Sequence, residues 1–324
     1  MRKELTIPDG IDINTIPTNT WFSLSDPLKE PVPPLEFVIE GYCARGLITV
    51  IGGSAGSGKS LFNQVLFQKR NNELLPTKPG KAIYFTGADS SEIELRRRAK
   101  AIKTNKGLFT VSLPENQYCV ISNDVFLNEV DTHMMQGGFD AVIFDTIADF
   151  HEGNLYEAEK ANHTMQLFTR LARSTNTAVI LITHTRKGSK IKSKYNVEDI
   201  SDSRIFTTKA DFVFGLRSEY QTDKSNLIEL QCIKSRSAEA PLPLRASIHY
   251  DSFMSQLKIS RTDRLFSEEL ESQSKEEQRR HKIAEVGALI SAGQPVRDVA
   301  AALNISTGTV VNYKKEYEQQ KESL

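Results

Sequence analysis

One octapeptide, Gly53-Ser54-Ala55-Gly56-Ser57-Gly58-Lys59-Ser60, restricts this chain to a small set of folds, because it fits G-x-x-x-x-G-K-[ST] at every fixed position. Ahead of it, Leu47-Ile48-Thr49-Val50-Ile51 is apolar and β-branched, and residues 61–67 after it repeat apolar side chains at helical spacing. Strand, loop and helix thus come in the order that a phosphate cradle requires. The glycines let successive backbone N–H groups converge on a polyphosphate at a helix N-terminus, where unpaired donors and the helix dipole favour an anion. Gly53, Ser54, Ala55, Gly56, Ser57, Gly58, Lys59 and Ser60 form the expected cradle. Lys59 adds a point charge and Ser60 a hydroxyl suited to Mg²⁺, so ATP and Mg²⁺ are the expected ligands.

A chain of 324 residues exceeds one ordinary domain of about 100–200 residues, which predicts a large core with an appendage. Lys plus Arg and Asp plus Glu balance at 41 each, so any surface for nucleic acid must be a local patch. Cys43, Cys119 and Cys232 are odd in number and lack C-x-x-C spacing, which argues against a disulfide framework or a zinc site. No apolar run approaches the ~18 residues of a membrane span, and the N-terminus is polar. A soluble, cytoplasmic protein is expected.

Residues 1–35 hold six of the twelve prolines, which predicts an extended arm that Trp21 and Phe22 anchor on its own domain or on a neighbouring subunit. Residues 36–262 alternate strand and helix, with strands near 47–52, 82–87, 140–145 and 178–183, which predicts an α/β fold with a mainly parallel sheet covered on both faces. A helix near 155–174 places Ala158, Ala161, Met165, Phe168 and Ala172 on a core-facing stripe. Strands at 211–216, 227–233 and 246–250 extend the sheet edge in antiparallel fashion. Residues 263–282 are dense in charge and read as a solvated helical linker, and a small all-α domain is expected over 283–324.

Within the α/β region, Ala141-Val142-Ile143-Phe144-Asp145-Thr146 is an apolar strand ending in a carboxylate, the Walker B pattern, in which Asp145 holds Mg²⁺ through water. The strand Ala178-Val179-Ile180-Leu181-Ile182-Thr183-His184 brings His184 to the same strand ends, where it can sense a γ-phosphate. Lys187, Lys190, Lys192 and Lys194 come next in a Gly- and Ser-containing stretch without an acid, suited to the backbone of single-stranded DNA. Lys234 and Arg236 at a sheet margin, with Arg204 as a second candidate, could reach the phosphates of an adjacent subunit. From Val299 to Tyr313 the pattern reads as helix-turn-helix: Ala300 at a close crossing, Leu303 and Ile305 bracketing the turn, Ser306 as cap, Val310 and Tyr313 inward. Thr307, Thr309, Asn312 and Lys314 are left outward for double-stranded DNA or a replication partner.

With Pro33-Pro34-Leu35-Glu36-Phe37-Val38 before the phosphate loop, Asp145-Thr146 with Phe150-His151, and Thr183-His184-Thr185-Arg186-Lys187-Gly188, residues 33–250 resemble the plasmid RepA-type hexameric replicative helicases. Those proteins are RecA/DnaB-like P-loop ATPases, and the C-terminal segment separately resembles the helix-turn-helix of resolvases and invertases. The resemblance implies a RecA-like core, a hexameric ring with ATP between neighbours, loops that grip single-stranded DNA, and the replication of a plasmid, prophage or phage satellite. It assigns nucleotide roles to Lys59, Ser60, Asp145 and His184, and likens Lys234 and Arg236 to the trans-acting pair of DnaB-type helicases. RepA-type proteins place an arginine finger before a Gly-Ser, where this chain has Ser201-Asp202-Ser203 followed by Arg204.

One position departs from that pattern. After the strand Ala82-Ile83-Tyr84-Phe85-Thr86-Gly87, the resembled family carries Glu-Asp and this chain has Ala88-Asp89, so the usual water-activating glutamate is missing. General-base catalysis contributes about 10²–10⁴-fold, and Asp89, Glu92 or Glu94 could replace it, Asp89 being the nearest acid. Three readings are open: an ATP-driven helicase, an ATP-bound switch that hydrolyses little and acts as initiator or regulator through its helix-turn-helix, or a RecA-like recombination mediator, which would not require the helix-turn-helix.

Overall fold

The computed structural model describes residues 34–68, 74–75, 80–87, 91–102, 109–112, 119–185, 195–200, 204–251 and 256–322. Contacts divide the chain into Met1–Leu35 and Glu36–Leu324. The predicted arm, with Trp21 and Phe22, lies outside the described residues. The described strands and helices all belong to the second unit.

A short ribbon of β1 (Phe37–Ile39) and antiparallel β2 (Cys43–Ala44) leads into β3 (Ile48–Gly53), α1 (Lys59–Gln68), β4 (Ala82–Thr86), α2 (Glu92–Ile102) and β5 (Phe109–Ser112). Next come α3 (Asp124–Gly137), β6 (Ala141–Asp145), α4 (Ile147–Phe150), α5 (Ala158–Thr175), β7 (Ala178–His184) and α6 (Arg204–Lys209). Four long strands close the sheet, β8 (Phe212–Tyr220), β9 (Asn226–Ser235), β10 (Leu244–Asp251) and β11 (Gln256–Arg261), before α7 (Ser267–Ser291), α8 (Val296–Ala302) and α9 (Thr307–Glu322). Strands β3 to β11 form one nine-stranded sheet in the order β11-β10-β9-β8-β3-β7-β6-β4-β5. It is parallel from β5 through β8 and antiparallel from β8 to β11. The fold is therefore α/β with a mainly parallel sheet, consistent with a RecA-like core.

Period-two alternation sends successive side chains of the central strands to opposite faces. Ile143, Ile180 and Ile182 join Ile51, Phe62 and Leu66 on the α1 face, whereas Phe144, Val179 and Leu181 join Met165 and Phe168 of α5 on the other. That second face carries an aromatic cluster in which Phe144 stands 4.9 Å from Phe168 and 5.1 Å from Phe150 between ring centroids, contacts worth about 0.5–1.5 kcal/mol each beyond area burial. Burial on both faces explains why β6 and β7 read as unbroken apolar runs.

Three expectations change. Helix α5 begins at Ala158, which is exposed, and its buried stripe starts one turn later at Ala161. Strand β8, expected as antiparallel, pairs parallel with β3 and reverses only toward β9, because the crossover through α6 returns the chain in the direction of the core strands. Helix α7 runs unbroken across residues 282 and 283, so the predicted linker and the first helix of the C-terminal unit are one element.

The start of α7 is exposed at Ser267, Glu268 and Leu270, as expected of a solvated helix, but Glu269 ties it to the sheet. Arg217, Glu229 and Arg245 lie side by side across β8, β9 and β10. Arg217 Nε donates to Glu229 Oε1 at 2.9 Å and Arg245 Nε to Glu229 Oε2 at 2.6 Å. Both guanidiniums donate through Nη2 to Glu269 Oε1 of α7, at 2.9 and 2.6 Å. Phe266 is buried with the Arg217 guanidinium 3.8 Å from its ring centroid. Burial acts to raise the Glu269 carboxyl, but the Phe266 N–H and the Arg245 and Arg217 charges outweigh it and hold the group below its ordinary value of 4.5. A carboxyl lowered on folding contributes stability that is present above 4.5 and is lost as pH falls through the folded value, because the unfolded chain takes up the proton first. Acid titration should therefore destabilise wild type more steeply below pH 4.5 than it does Glu269→Gln. Urea midpoints against pH check this, and parallel curves would show that Glu269 carries none of the acid sensitivity.

Beyond that anchor, Val286, Val299, Ala300 and Val310 form a separate small core joined by Leu289, Leu303, Ile305 and Tyr313. Ser306 Oγ accepts the Thr309 N–H at 3.1 Å and so caps α9. The turn between α8 and α9 passes through Asn304 at φ 52°.

Candidate functional site

Strands β3, β7, β6 and β4 are neighbours, so their C-terminal ends line up in one row. The loop after β3 takes Gly56 to φ 75° and Gly58 to φ 88°, a region that L side chains rarely enter, and open space surrounds both. Lys59, the first residue of α1, folds back over this loop, its Nζ donating to Gly53 O at 2.8 Å and Ser54 O at 2.9 Å. His184, paired with Gly53 in the parallel register, brings Nδ1 to 3.5 Å from Lys59 Nζ. Gly56, Gly58, Lys59, Ser60, Thr86, Gly87, Arg98, Asp145, Asp149 and His184 share one cavity of about 360 Å³.

Burial pushes the Lys59 ammonium down to about 8, with the Asp145 charge acting the other way. An incoming polyphosphate would restore the negative surroundings that this buried cation lacks. Ser57 Oγ is buried in the loop and meets no partner among the described residues. An orphaned hydroxyl inside a cradle of backbone donors fits an oxygen-rich anion. Ser60 and Asp145, on the same cavity wall, offer a hydroxyl and a carboxylate, the hard oxygen donors that Mg²⁺ takes alongside phosphate oxygens.

Several residues of the site escaped the sequence reading, Arg98 of α2, Tyr84 and Asp149 among them. Tyr84 of β4 is buried and its hydroxyl donates to Asp145 Oδ2. Burial and then the Asp145 charge push that phenol well above 10, so it stays a neutral donor that also meets Ser60 and Gln64. A tyrosine in an otherwise apolar buried strand was the available signal, since a buried hydroxyl needs a partner. Asp149 lines the cavity from α4, where its Oδ2 accepts the Thr146 N–H at 2.9 Å and the Thr146 hydroxyl at 2.8 Å.

The remaining predicted residues lie elsewhere. Lys234 Nζ donates to the carbonyls of Thr207, Thr208 and Ala210, at 2.9, 2.6 and 2.8 Å, which uses all three ammonium donors to close the C-terminus of α6. Arg236 is exposed and gives one bond to Thr208 O at 2.8 Å. Arg204 pairs with Glu198 at 3.1 Å. Glu92 and Glu94 pair with Arg96 and Arg98 along α2. Asp89, with Ala88, and Lys187, Lys190, Lys192 and Lys194 lie outside the described residues. On α9, Thr307 and Asn312 are exposed, but Thr309 is half-buried, its hydroxyl 2.8 Å from Ser306 Oγ, and Lys314 is half-buried 3.8 Å from Glu318. The cap therefore withdraws Thr309 from the expected outward row.

The row of parallel strand ends, the glycine loop opening a helix and the buried lysine beside a strand-end aspartate define a P-loop nucleotide-binding protein. The family model described as AAA domain matches residues 16–190, more than half of the chain, and the chain belongs to that family of P-loop ATPases. Membership implies binding of a nucleotide, usually with Mg²⁺. No curated protein matches the chain. Among the described residues, no helix is long and apolar enough to cross a membrane.

Proposed function

We propose that this protein is an ATP-driven DNA replication factor of a mobile element, a ring-forming RepA-like helicase that moves on single-stranded DNA. The observation that carries this reading is the placement of Lys59, Asp145 and His184 around one cavity at adjacent strand ends, with the lysine-rich stretch directly after His184 in the chain. In that site Lys59 and the loop N–H groups hold the phosphates, Ser60 and Asp145 hold Mg²⁺, and His184 reports on the terminal phosphate. Bound Mg²⁺ would neutralise charge on the phosphate oxygens. Arg236 suits a neighbouring subunit's phosphates better than Lys234, whose three donors are already used. Thr307 and Asn312 remain to meet double-stranded DNA or a replication partner.

Ala88 favours a second reading, an ATP-bound switch that binds DNA through α8 and α9 and turns over slowly. Steady-state hydrolysis with and without single-stranded DNA, against Lys59→Ala as blank, separates the two. The helicase reading expects turnover of order 1 s⁻¹ or more that rises with single strands. Nucleotide binding without turnover above the blank would replace it with the switch.

A further inference from the structure

Hydrolysis of a phosphoanhydride by water needs a group to take a proton from the attacking oxygen, and position 88 supplies a methyl group. Only two carboxylates, Asp145 and Asp149, line the cavity among the described residues. Asp145 is buried, takes the Tyr84 hydroxyl on Oδ2 and shares the cavity lining with Ser60, as suits a metal-holding carboxylate. Asp149 differs in exposure and in hydrogen bonding. It is exposed, and both bonds from Thr146 fall on Oδ2, which leaves Oδ1 without a hydrogen bond among the described residues.

The position of Asp149 is set from two sides. Thr146 follows β6 as the N-cap of α4, and its N–H and hydroxyl fix the carboxylate over the first turn of that helix. On the other side Gly87 comes directly after β4, and its N–H donates to Asp145 O at 2.9 Å. A Cβ on Gly87 would stand 2.3 Å from Asp149 Cγ and 2.6 Å from Oδ1. The carboxylate thus occupies the space beside the end of β4 that any side chain at position 87 would fill. A glycine there leaves room for an acid supplied by α4, which follows the neighbouring strand β6.

We propose that Asp149 is the catalytic base of this site, a proposal that rests on the hydrolytic reading above. Oδ1 accepts a proton from water as the water oxygen bonds to the γ-phosphorus; the bond from that phosphorus to the β,γ-bridging oxygen breaks, and the electron pair leaves with ADP. The proton then passes from the exposed carboxyl to solvent or to the released phosphate.

Asp149→Asn tests this with little disturbance, because the amide oxygen still accepts both Thr146 bonds and only the basicity is lost. In the full-length protein, kcat for ATP is expected to fall about 10²-fold or more while the affinity for a non-hydrolysable ATP analogue is unchanged. Gly87→Ala, which pushes the carboxylate aside without altering it, is expected to lower kcat as well. Wild-type rates in Asp149→Asn or in Gly87→Ala would overturn the proposal, as would a loss in Asp149→Asn matched by loss of analogue binding. Wild-type protein no faster than Lys59→Ala would overturn it too, and would locate the failure in the hydrolytic reading rather than in the choice of carboxylate.

Discussion

Lys59→Ala is expected to lower ATP turnover by about 10³-fold or more, beyond the 10²–10³ usual for one lost donor, because this side chain does two things at once. Its ammonium is the positive charge enclosed by the phosphate loop, and the same Nζ bridges Gly53 O and Ser54 O and approaches His184. Truncation leaves two carbonyls without their cation and unties the loop whose N–H groups must converge on phosphate. Lys59→Arg should recover little, since a planar guanidinium cannot reproduce the point-like Nζ contacts with Gly53 O and Ser54 O at a position where Lys59 is 5% exposed. Single-turnover hydrolysis and equilibrium binding of a labelled nucleotide read the two effects separately. Retention of wild-type turnover in Lys59→Ala would mean that the cavity is not the place of chemistry.

In the sheet margin, Glu229→Ala is expected to cost about 3 kcal/mol of stability. Glu229 is 4% exposed and bridges Arg217 and Arg245 with one oxygen each. Its removal leaves two guanidiniums at a buried cross-strand position that share the single Glu269 carboxylate, itself part of the first turn of α7. The figure sits at the low end for breaking a buried pair because Glu269 still touches both. The α7 anchor should weaken together with the sheet margin. Urea denaturation measures the loss, and a change within about 0.5 kcal/mol, the scale of an ordinary surface substitution, would show that the network contributes nothing.

Residues adjacent in the chain made much of this readable. The phosphate loop is eight consecutive residues, its flanks carry their own periodicity, and β6 and β7 announce a doubly covered sheet by being apolar throughout. Ser306 caps α9 three residues away from the N–H it accepts, so that end of the helix was legible as well. Ala158 misled because periodicity fixes the direction of a stripe more firmly than the turn at which burial begins.

Chain order determined the cradle, the strand carrying Asp145, the strand carrying His184 and the helical unit at the end, because each depends on contacts a few residues apart. Only the tertiary structure decided what meets across the sheet. Tyr84 reaches Asp145 over 61 residues of chain, and Lys234 spends its donors on carbonyls 24 to 27 residues earlier. Arg217, Glu229 and Arg245 meet through strand register alone. Asp149 sits over Gly87 because β6 lies beside β4, and no local pattern encodes that adjacency: sheet order is set by how whole strands and their covering helices pack, and side-chain partners result from it.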